Sequence, residues 1–322
     1  MKIISNSKKL QFPKPEFNFS LRAIIRTFAP MLRNIFTVFI LFAALLMTSC
    51  QRKPAETQKM QITVSIIPQE YLANFIAGDK FDVQVMLPPG ANHETYEPAP
   101  RDMEKISSSK LYLALGALDF ELAWLDRFKA SNPKMQIINT SQGITMLSGH
   151  EHDHDSDPGQ KEHGIDPHIW LSPSCMKIQA NNICNALVNI DTANAKIYKE
   201  NLNKFILLAD SVDGKIREKL IGSEGKSFLI YHPALAYFAR DYNLTQISIE
   251  QEGKEPSPAN LSELIKTAKQ KGIKTVLISK EFDTRNAEAV AREIGGKVEV
   301  FDPMALNWPE NMIHLAELIA GK

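Results

Sequence analysis

Three histidines stand alone in segments whose composition is typical of loops, at intervals of 75 and 64 residues. They are His93 in PPGANHETYEP, His168 in DPHIWLSP and His232 in YHPA. Asp302, in FDP, adds a carboxylate directly after an apolar run. Neutral imidazoles and a carboxylate are the ligands that a tetrahedral zinc ion accepts, at about 2.0–2.2 Å. These residues predict one shared zinc site, provided that the fold brings their loops together.

The same histidines have a less specific interpretation. A lone histidine is more often a helix cap, a core hydrogen-bonding residue or a surface residue than a ligand, and such long spacings carry almost no motif information. Glu281, which follows a predicted strand, offers another carboxylate near the cleft, although a capping or ion-pair role is commoner. His314, on the last predicted helix, is expected to be a surface or packing residue. Spacing alone therefore leaves the shared site open.

One segment, residues 148–164, is of low complexity and reads SGHEHDHDSDPGQKEHG. It contains four of the eight histidines and five acidic residues, without any apolar period, so it predicts a solvated loop. A His- and Asp-rich tract also has a composition that binds metal ions. The auxiliary metal-binding residues that we predict here are His150, His152, His154 and His163. The alternative is an acidic loop with incidental histidines.

Short apolar runs alternate with helical stretches on both sides of this loop, which predicts βαβ units around largely parallel sheets. The predicted strands are 62–67, 81–86, 111–116, 136–139, 227–231, 245–250, 275–279 and 298–301. The predicted helices between them are 68–77, 101–107, 120–130, 233–242, 258–270, 285–294 and 309–319. In open α/β sheets, ligands bind beyond the carboxyl ends of the strands, so the residues just after each strand are the candidates for a site.

Between the two series, residues 173–222 have helical periodicity and a single internal glycine, Gly214. They predict one long helix, or two abutting helices with a break near Asp191. The fold class is therefore α/β, with two lobes that each contain a mostly parallel sheet flanked by helices, joined by a long connecting helix. The predicted domains are an N-terminal lobe at 61–172, the connecting region at 173–222 and a C-terminal lobe at 223–322.

The overall charge of zero, from 37 basic and 37 acidic residues, hides an uneven distribution. Residues 1–50 carry seven Lys or Arg and one acid, a net charge of +6, which leaves −6 for the rest. A basic head followed by the thirteen-residue apolar run 35–47 predicts an export signal, because the run is too short to cross a bilayer as a helix. The charge balance also argues against a nucleic-acid partner.

Cys50 follows small residues in LMTSC, which resembles a bacterial lipobox and predicts a lipid-anchored protein. Residues 1–50 are then the leader, whose true start is either Met1 or Met31, and residues 51–60 are a polar tether. The mature protein would be a periplasmic or cell-surface lipoprotein. Its other cysteines, Cys175 and Cys184, are too far apart on a predicted helix for a disulfide and are expected to be buried.

Taken together, several segments of the mature chain resemble the zinc- and manganese-binding substrate-binding proteins of bacterial ABC importers, the ZnuA-like group. The resemblance covers nearly the whole mature chain. The matching segments are PPGANHETYEPAP, DPHIWLSP, YHPALAYFARDYNL, QEGKEPSPANL and FDTRNAEAVAREIGGKVEVFDPM.

The resemblance implies metal binding between two α/β lobes bridged by a rigid helix. The family's ligand positions carry over to His93, His168, His232 and Asp302. A histidine at 232, where manganese-selective members tend to have a carboxylate, favours Zn²⁺ over Mn²⁺. We expect a monomer that delivers its ion to an ABC permease and is not an enzyme. Next to the ligands, Glu94 is expected to support His93, and Asp166 is expected to orient His168.

Two other functions remain open from the residues alone. A three-histidine zinc site with a bound water would suit a hydrolase. A binder of organic solutes would use Trp124, Trp170 and Trp308 for stacking, although these tryptophans are more commonly core residues.

Overall fold

The computed structural model describes Thr37 and residues 59–149, 164–250 and 256–321. The chain divides into two compact units, Met1–Gln58 and Lys59–Lys322. In the first unit only Thr37, an exposed helical residue, is described. Apart from Thr37, the predicted leader with Cys50 and nearly all of the tether thus lie outside the described residues. Within the described ranges, no helix is long and apolar enough to cross a membrane.

The first lobe contains a parallel sheet with the strand order β2-β1-β3-β4. β3 is buried along its whole length because helices cover the sheet, as is usual for parallel strands. The strands are β1 (Met60–Val64), β2 (Phe81–Val85), β3 (Leu111–Ala114) and β4 (Gln136–Asn139). The helices are α1 (Ile67–Ala77), α2 (Pro100–Ser108) and α3 (Asp119–Ser131).

The second lobe repeats this arrangement, with the parallel strand order β6-β5-β7-β8. Its strands are β5 (Ser227–Ile230), β6 (Thr245–Ser248), β7 (Thr275–Ile278) and β8 (Lys297–Val300). Its helices are α6 (Ala236–Asp241), α7 (Pro258–Gln270), α8 (Arg285–Ile294) and α9 (Trp308–Ala320). The predicted fold class, with two parallel α/β lobes, is confirmed.

Two long helices connect the lobes, α4 (Pro173–Ile190) and α5 (Ala195–Lys219). The 3₁₀ turn Thr192–Asn194 separates them at the predicted break. Helix α5 packs along α4 and also contacts α1 in the first lobe and α9 in the second. Helix α5 therefore packs against both lobes, which limits their relative movement.

A pair of tryptophans also ties the lobes together. The indole Nε1 of Trp170 donates a hydrogen bond to the carbonyl of Pro303 (2.8 Å), and Nε1 of Trp308 donates to the carbonyl of Trp170 (2.8 Å). Both rings are fully buried. These residues are core and interlobe residues, which leaves them unavailable for stacking on a solute. Cys175 and Cys184 are buried, as predicted, and both have free thiols.

The structure differs from the prediction at the start of α6, which was expected at residue 233 and lies at Ala236. The amide of Ala234 donates to the carbonyl of His232, and the amide of Leu235 donates to Oε1 of Gln246 (2.6 Å). These bonds hold residues 232–235 in a loop. Most strands likewise end one or two residues earlier than predicted, and Glu250 and Ser279 therefore lie in loops.

Candidate metal centre

His93 lies in the loop that follows β2. Gly90 has a φ of +79°, a conformation that favours glycine, and it precedes the turn that presents His93. The hydroxyl of Tyr96 lies 2.8 Å from Oδ2 of Asp102 and 2.9 Å from the carbonyl of Met86. These contacts fix the far end of the loop to the end of β2 and to α2.

His168 is held by the acidic residue two positions before it. Oδ1 of Asp166 accepts hydrogen bonds from the imidazole Nδ1 (2.8 Å) and from the backbone amide of His168 (2.9 Å). A carboxylate acceptor at Nδ1 fixes the tautomer that leaves a lone pair on Nε2. Asp166 therefore lies where its carboxylate can orient the ring of His168.

His232 follows β5 and is oriented in the same way by a residue of the neighbouring strand end. Its Nδ1 lies 3.0 Å from Oε2 of Glu250, which follows β6. The ring of Phe282 stacks on the imidazole, with centroids 5.2 Å apart and planes 18° from parallel. The bond and the stacking hold the ring in one orientation, with Nε2 turned away from Glu250.

The three imidazoles converge. Their ligand atoms lie within 4.8 Å of one another, and Nε2 of His93 is 3.2 Å from Nε2 of His168. Two ligand atoms of a tetrahedral zinc ion, each about 2.0–2.1 Å from the metal, are about 3.3 Å apart. His93, His168 and His232 are all at least 92% buried. The spacing between the first two rings thus already matches one edge of a zinc coordination sphere.

Two ring nitrogens in this group have no hydrogen-bond partner among the described residues. They are Nδ1 of His93 and Nε2 of His232, and both are buried. A buried polar atom without a partner is costly, so native proteins rarely keep one without a function. Nε2 of His232 lies on the side of the ring that faces the other imidazoles, where a metal ion would satisfy it.

The environment shifts the pKa values of His93 and His232 in opposite directions. Burial and the neighbouring rings of His168 and His232 hold the pKa of His93 well below its usual range, so this ring is neutral and can donate a lone pair. Burial lowers the pKa of His232, but the bond to Glu250 and the charges of Glu94 and Glu250 outweigh it and raise that pKa. A cation that binds here would displace any proton on His232.

The cavity beside the imidazoles has a volume of about 10 Å³. That is room for about one water-sized body. Besides the three histidines, its lining comes from both lobes and is partly apolar, with Phe282, Pro303 and Met304 on the side of the second lobe. The site therefore fits a single ion with few or no waters.

Asp302 is not part of the compact group. Its Oδ2 is 2.6 Å from Nζ of Lys280, and its Oδ1 accepts from the amide of Met304 (2.9 Å). Asp166 and Glu250 face Nδ1 atoms of the imidazoles, whereas Oε1 of Glu94 lies 3.8 Å from Nε2 of His232. Glu281 lines the cavity, and burial raises its pKa. His150, His152, His154 and His163 lie outside the described residues.

Glu250 and Phe282 are two residues that sequence reasoning missed. A usable signal existed for Glu250, because it follows β6 and the carboxyl ends of neighbouring parallel strands meet at one edge. In the register of these strands, Ile230 pairs with Ser248, which places His232 beside Glu250. Phe282 gave no such signal, since an aromatic residue after a strand is ordinarily a packing residue.

Comparisons with known proteins agree with this geometry. A family model described as ZnuA, Zinc-uptake complex component A periplasmic, matches residues 62–321. The high-affinity zinc uptake system protein ZnuA of Bacillus subtilis (strain 168) is 28% identical over 253 residues, which cover 76% of this chain and 79% of that protein.

Two solved structures have a similar fold. A crystal structure of ZnuA is 39% identical with a TM-score of 0.75, and the match covers 82% of this chain and 98% of that one. A ZnuA deletion mutant, described as having zinc bound, is 40% identical with a TM-score of 0.74, and the match covers 81% of this chain and 97% of that one.

Proposed function

The chain belongs to the ZnuA family of zinc-uptake components, and on that premise we propose that it captures Zn²⁺ between its lobes and delivers it to an ABC permease. Proteins of this family are substrate-binding components of transporters and not enzymes. The observation that carries the proposal is the convergence of three buried imidazoles, with a ring nitrogen of His232 left unsatisfied among them.

The donor set supports zinc as the ion. Imidazole suits Zn²⁺, whereas Mn²⁺ is better served by carboxylate, carbonyl and water ligands. An octahedral ion would need three further ligands beside the imidazoles, and the cavity of about 10 Å³ has no room for several waters. We therefore propose that Mn²⁺ binds to this site more weakly than Zn²⁺ does. Organic solutes occupy pockets of roughly 300–1,000 Å³, so the site does not favour an organic ligand.

The site is better suited to retaining a zinc ion than to activating a water molecule on it. Three neutral imidazoles and one carboxylate leave bound Zn²⁺ with a net charge near +1 and complete a tetrahedral sphere. A closed sphere holds the metal without generating a reactive hydroxide, in contrast to a hydrolase, which keeps one position open for water. Release then requires a change in the ligands, which docking on a permease would supply.

The fourth ligand is a carboxylate in this proposal, and three residues are candidates, of which Glu281 lines the cavity. Asp302 is the residue that the sequence indicated, but it would have to leave Lys280 and the amide of Met304. Glu94 needs only a small movement from its position 3.8 Å from Nε2 of His232. The short distance between its carboxylate and Nε2 of His232 therefore favours Glu94 over Asp302 as the fourth ligand.

Competition titration with a chelator, with Zn²⁺ and Mn²⁺ in parallel, tests both the ion and the fourth ligand. We expect the mature chain to bind one Zn²⁺ tightly and Mn²⁺ more weakly. Glu94→Gln should weaken zinc binding roughly 10–100-fold, and Asp302→Asn, its matched control, should do so less than threefold. The reverse order would assign the position to Asp302. Tighter binding of Mn²⁺ than of Zn²⁺ would refute zinc as the cargo.

Residues 150, 152, 154 and 163 are proposed to form weak auxiliary sites that raise the concentration of zinc near the cleft. Supporting this, the loop that contains them begins and ends beside Asp166, which orients His168. The backbone amide of Asp166 donates to the carbonyl of Leu147 (3.0 Å), and Ser148 forms an antiparallel bridge with Ile165. We call these two paired segments, 147–149 and 164–166, the loop stem.

Export and anchoring through Cys50 complete the proposal, with a monomer held at the membrane beside its permease. The support is the basic and apolar composition of residues 1–50 and the lipobox-like LMTSC. After fractionation of cells that express the full chain, we expect the unaltered protein with the membranes and Cys50→Ser in the soluble or uncleaved fraction. An equal membrane-bound, processed fraction for both proteins would refute lipidation at Cys50.

A further inference from the structure

One buried hydroxyl joins the second lobe to both segments of the loop stem. Tyr237 lies on α6, and its side chain is fully buried. Its hydroxyl accepts a hydrogen bond from the amide of Leu147 (3.0 Å) and donates one to the carbonyl of Asp166 (2.8 Å). Leu147 and Asp166 are themselves paired through their backbones. The hydroxyl thus completes a three-way junction between α6 and the two segments.

In sequence, Asp166 lies two positions before His168, and Tyr237 lies five positions after His232. Asp166 is the residue whose carboxylate holds both the ring and the amide of His168. Tyr237 follows His232 in the same short segment, in which residues 232–235 form the loop and α6 begins at Ala236. The segment that presents His232 and the residue that orients His168 are therefore hydrogen-bonded to each other.

We propose that Tyr237 is a positioning residue for zinc capture, because it sets the placement of His168 relative to His232 across the interlobe cleft. This inference rests on the proposed function. Ligand groups must be held to within about 0.5 Å of their working geometry, and the residues that orient them commonly change metal affinity 10–100-fold. Since Tyr237 acts through Asp166, one step further out, we expect an effect near the lower end of that range.

A purely structural role is the competing explanation. Removal of the hydroxyl leaves the amide of Leu147 and the carbonyl of Asp166 without this partner, which destabilises any fold to some extent. Tyr198 provides a matched control. It is equally buried, and its hydroxyl donates to Oδ2 of Asp191 (2.5 Å), at the break between α4 and α5 and outside the ligand loops.

The test compares Tyr237→Phe with Tyr198→Phe in the mature chain, by chelator competition for Zn²⁺ and by the visible d–d spectrum of bound Co²⁺. We expect Tyr237→Phe to weaken zinc binding about tenfold and to alter the Co²⁺ spectrum, because the imidazoles are rearranged. Tyr198→Phe should leave both readouts unchanged while lowering the urea midpoint. Unchanged affinity and spectrum in a folded Tyr237→Phe protein would overturn the proposal.

A second measurement needs no variant, so it holds even if Tyr237→Phe does not fold. Coupling between two interactions is reciprocal, so zinc must strengthen the Tyr237 bonds by the factor by which they strengthen zinc binding. Amide exchange at Leu147 in the unaltered protein should therefore slow about tenfold on zinc saturation. Equal exchange with and without zinc would overturn the proposal, whereas failure of the unaltered chain to bind zinc at all would refute the proposed function instead.

Discussion

Replacement of His232 by alanine is expected to weaken zinc binding by roughly a hundredfold or more. Structural zinc sites gain about 10–16 kcal/mol from four ligands, so one ligand contributes about 3 kcal/mol, which corresponds to roughly a hundredfold in the dissociation constant. The variant also leaves Glu250 without the ring that it orients. Competition titration of the mature chain against a chelator measures the change.

His314→Ala is the matched control, because its side chain on α9 is 55% exposed and lies outside the group of three imidazoles. This variant should bind zinc as the unaltered protein does. Any weak binding that remains in His232→Ala should disappear when residues 150–163 are also removed. If removal of that loop alone abolished tight binding, and His232→Ala did not, the assignment of the three imidazoles would be wrong.

The second large effect that we expect is a loss of folding stability when an interlobe tryptophan is replaced. Trp308→Phe is expected to lower the free energy of unfolding by roughly 2–4 kcal/mol, because it leaves the buried carbonyl of Trp170 without its donor and removes part of a fully buried ring. The loss falls at the contact between the lobes, since Trp170 in turn donates to Pro303. Urea unfolding of the zinc-free protein measures it.

Trp124→Phe removes the same atoms from a tryptophan that is only partly buried on α3, where its ring faces the guanidinium of Arg127. Its cost should remain below about 1 kcal/mol, as is usual for substitutions near the surface. Equal destabilisation by the two variants would contradict the view that the buried indole bonds hold the lobes together.

The sequence was sufficient to predict the elements, because apolar runs and proline-marked helix starts are local signals. β4, α7 and α8 have the predicted bounds, and α7 begins at Pro258, since proline is well suited to the first turn of a helix. The convergence of His93 and His232 could also be predicted, since both follow strands whose carboxyl ends face the cleft. His168 does not follow a strand directly, so only its residue type, its loop-like segment and the resemblance to a family indicated it.

The environment of the carboxylates was not predictable in the same way. Lys280 follows β7 and Asp302 follows β8, and because these strands are neighbours, the two side chains meet at the sheet edge and form an ion pair. The order of the strands decides this pairing, and no local pattern reveals it. For the same reason Glu250, the partner of His232, could be recognised only after β5 and β6 were known to be adjacent.

The loop stem has a consequence for protein engineering. Ser148 and Ile165 are paired, so the chain leaves the body and returns to it at one place, and the stem is closed by bonds outside the loop itself. The entropic cost of closing a loop grows only slowly with its length, by about 0.6 kcal/mol per doubling. A fluorescent domain with adjacent termini could therefore replace residues 150–163 and would report on the cleft from beside Asp166. The closed loop stem next to the metal site thus makes this protein a suitable scaffold for a zinc sensor.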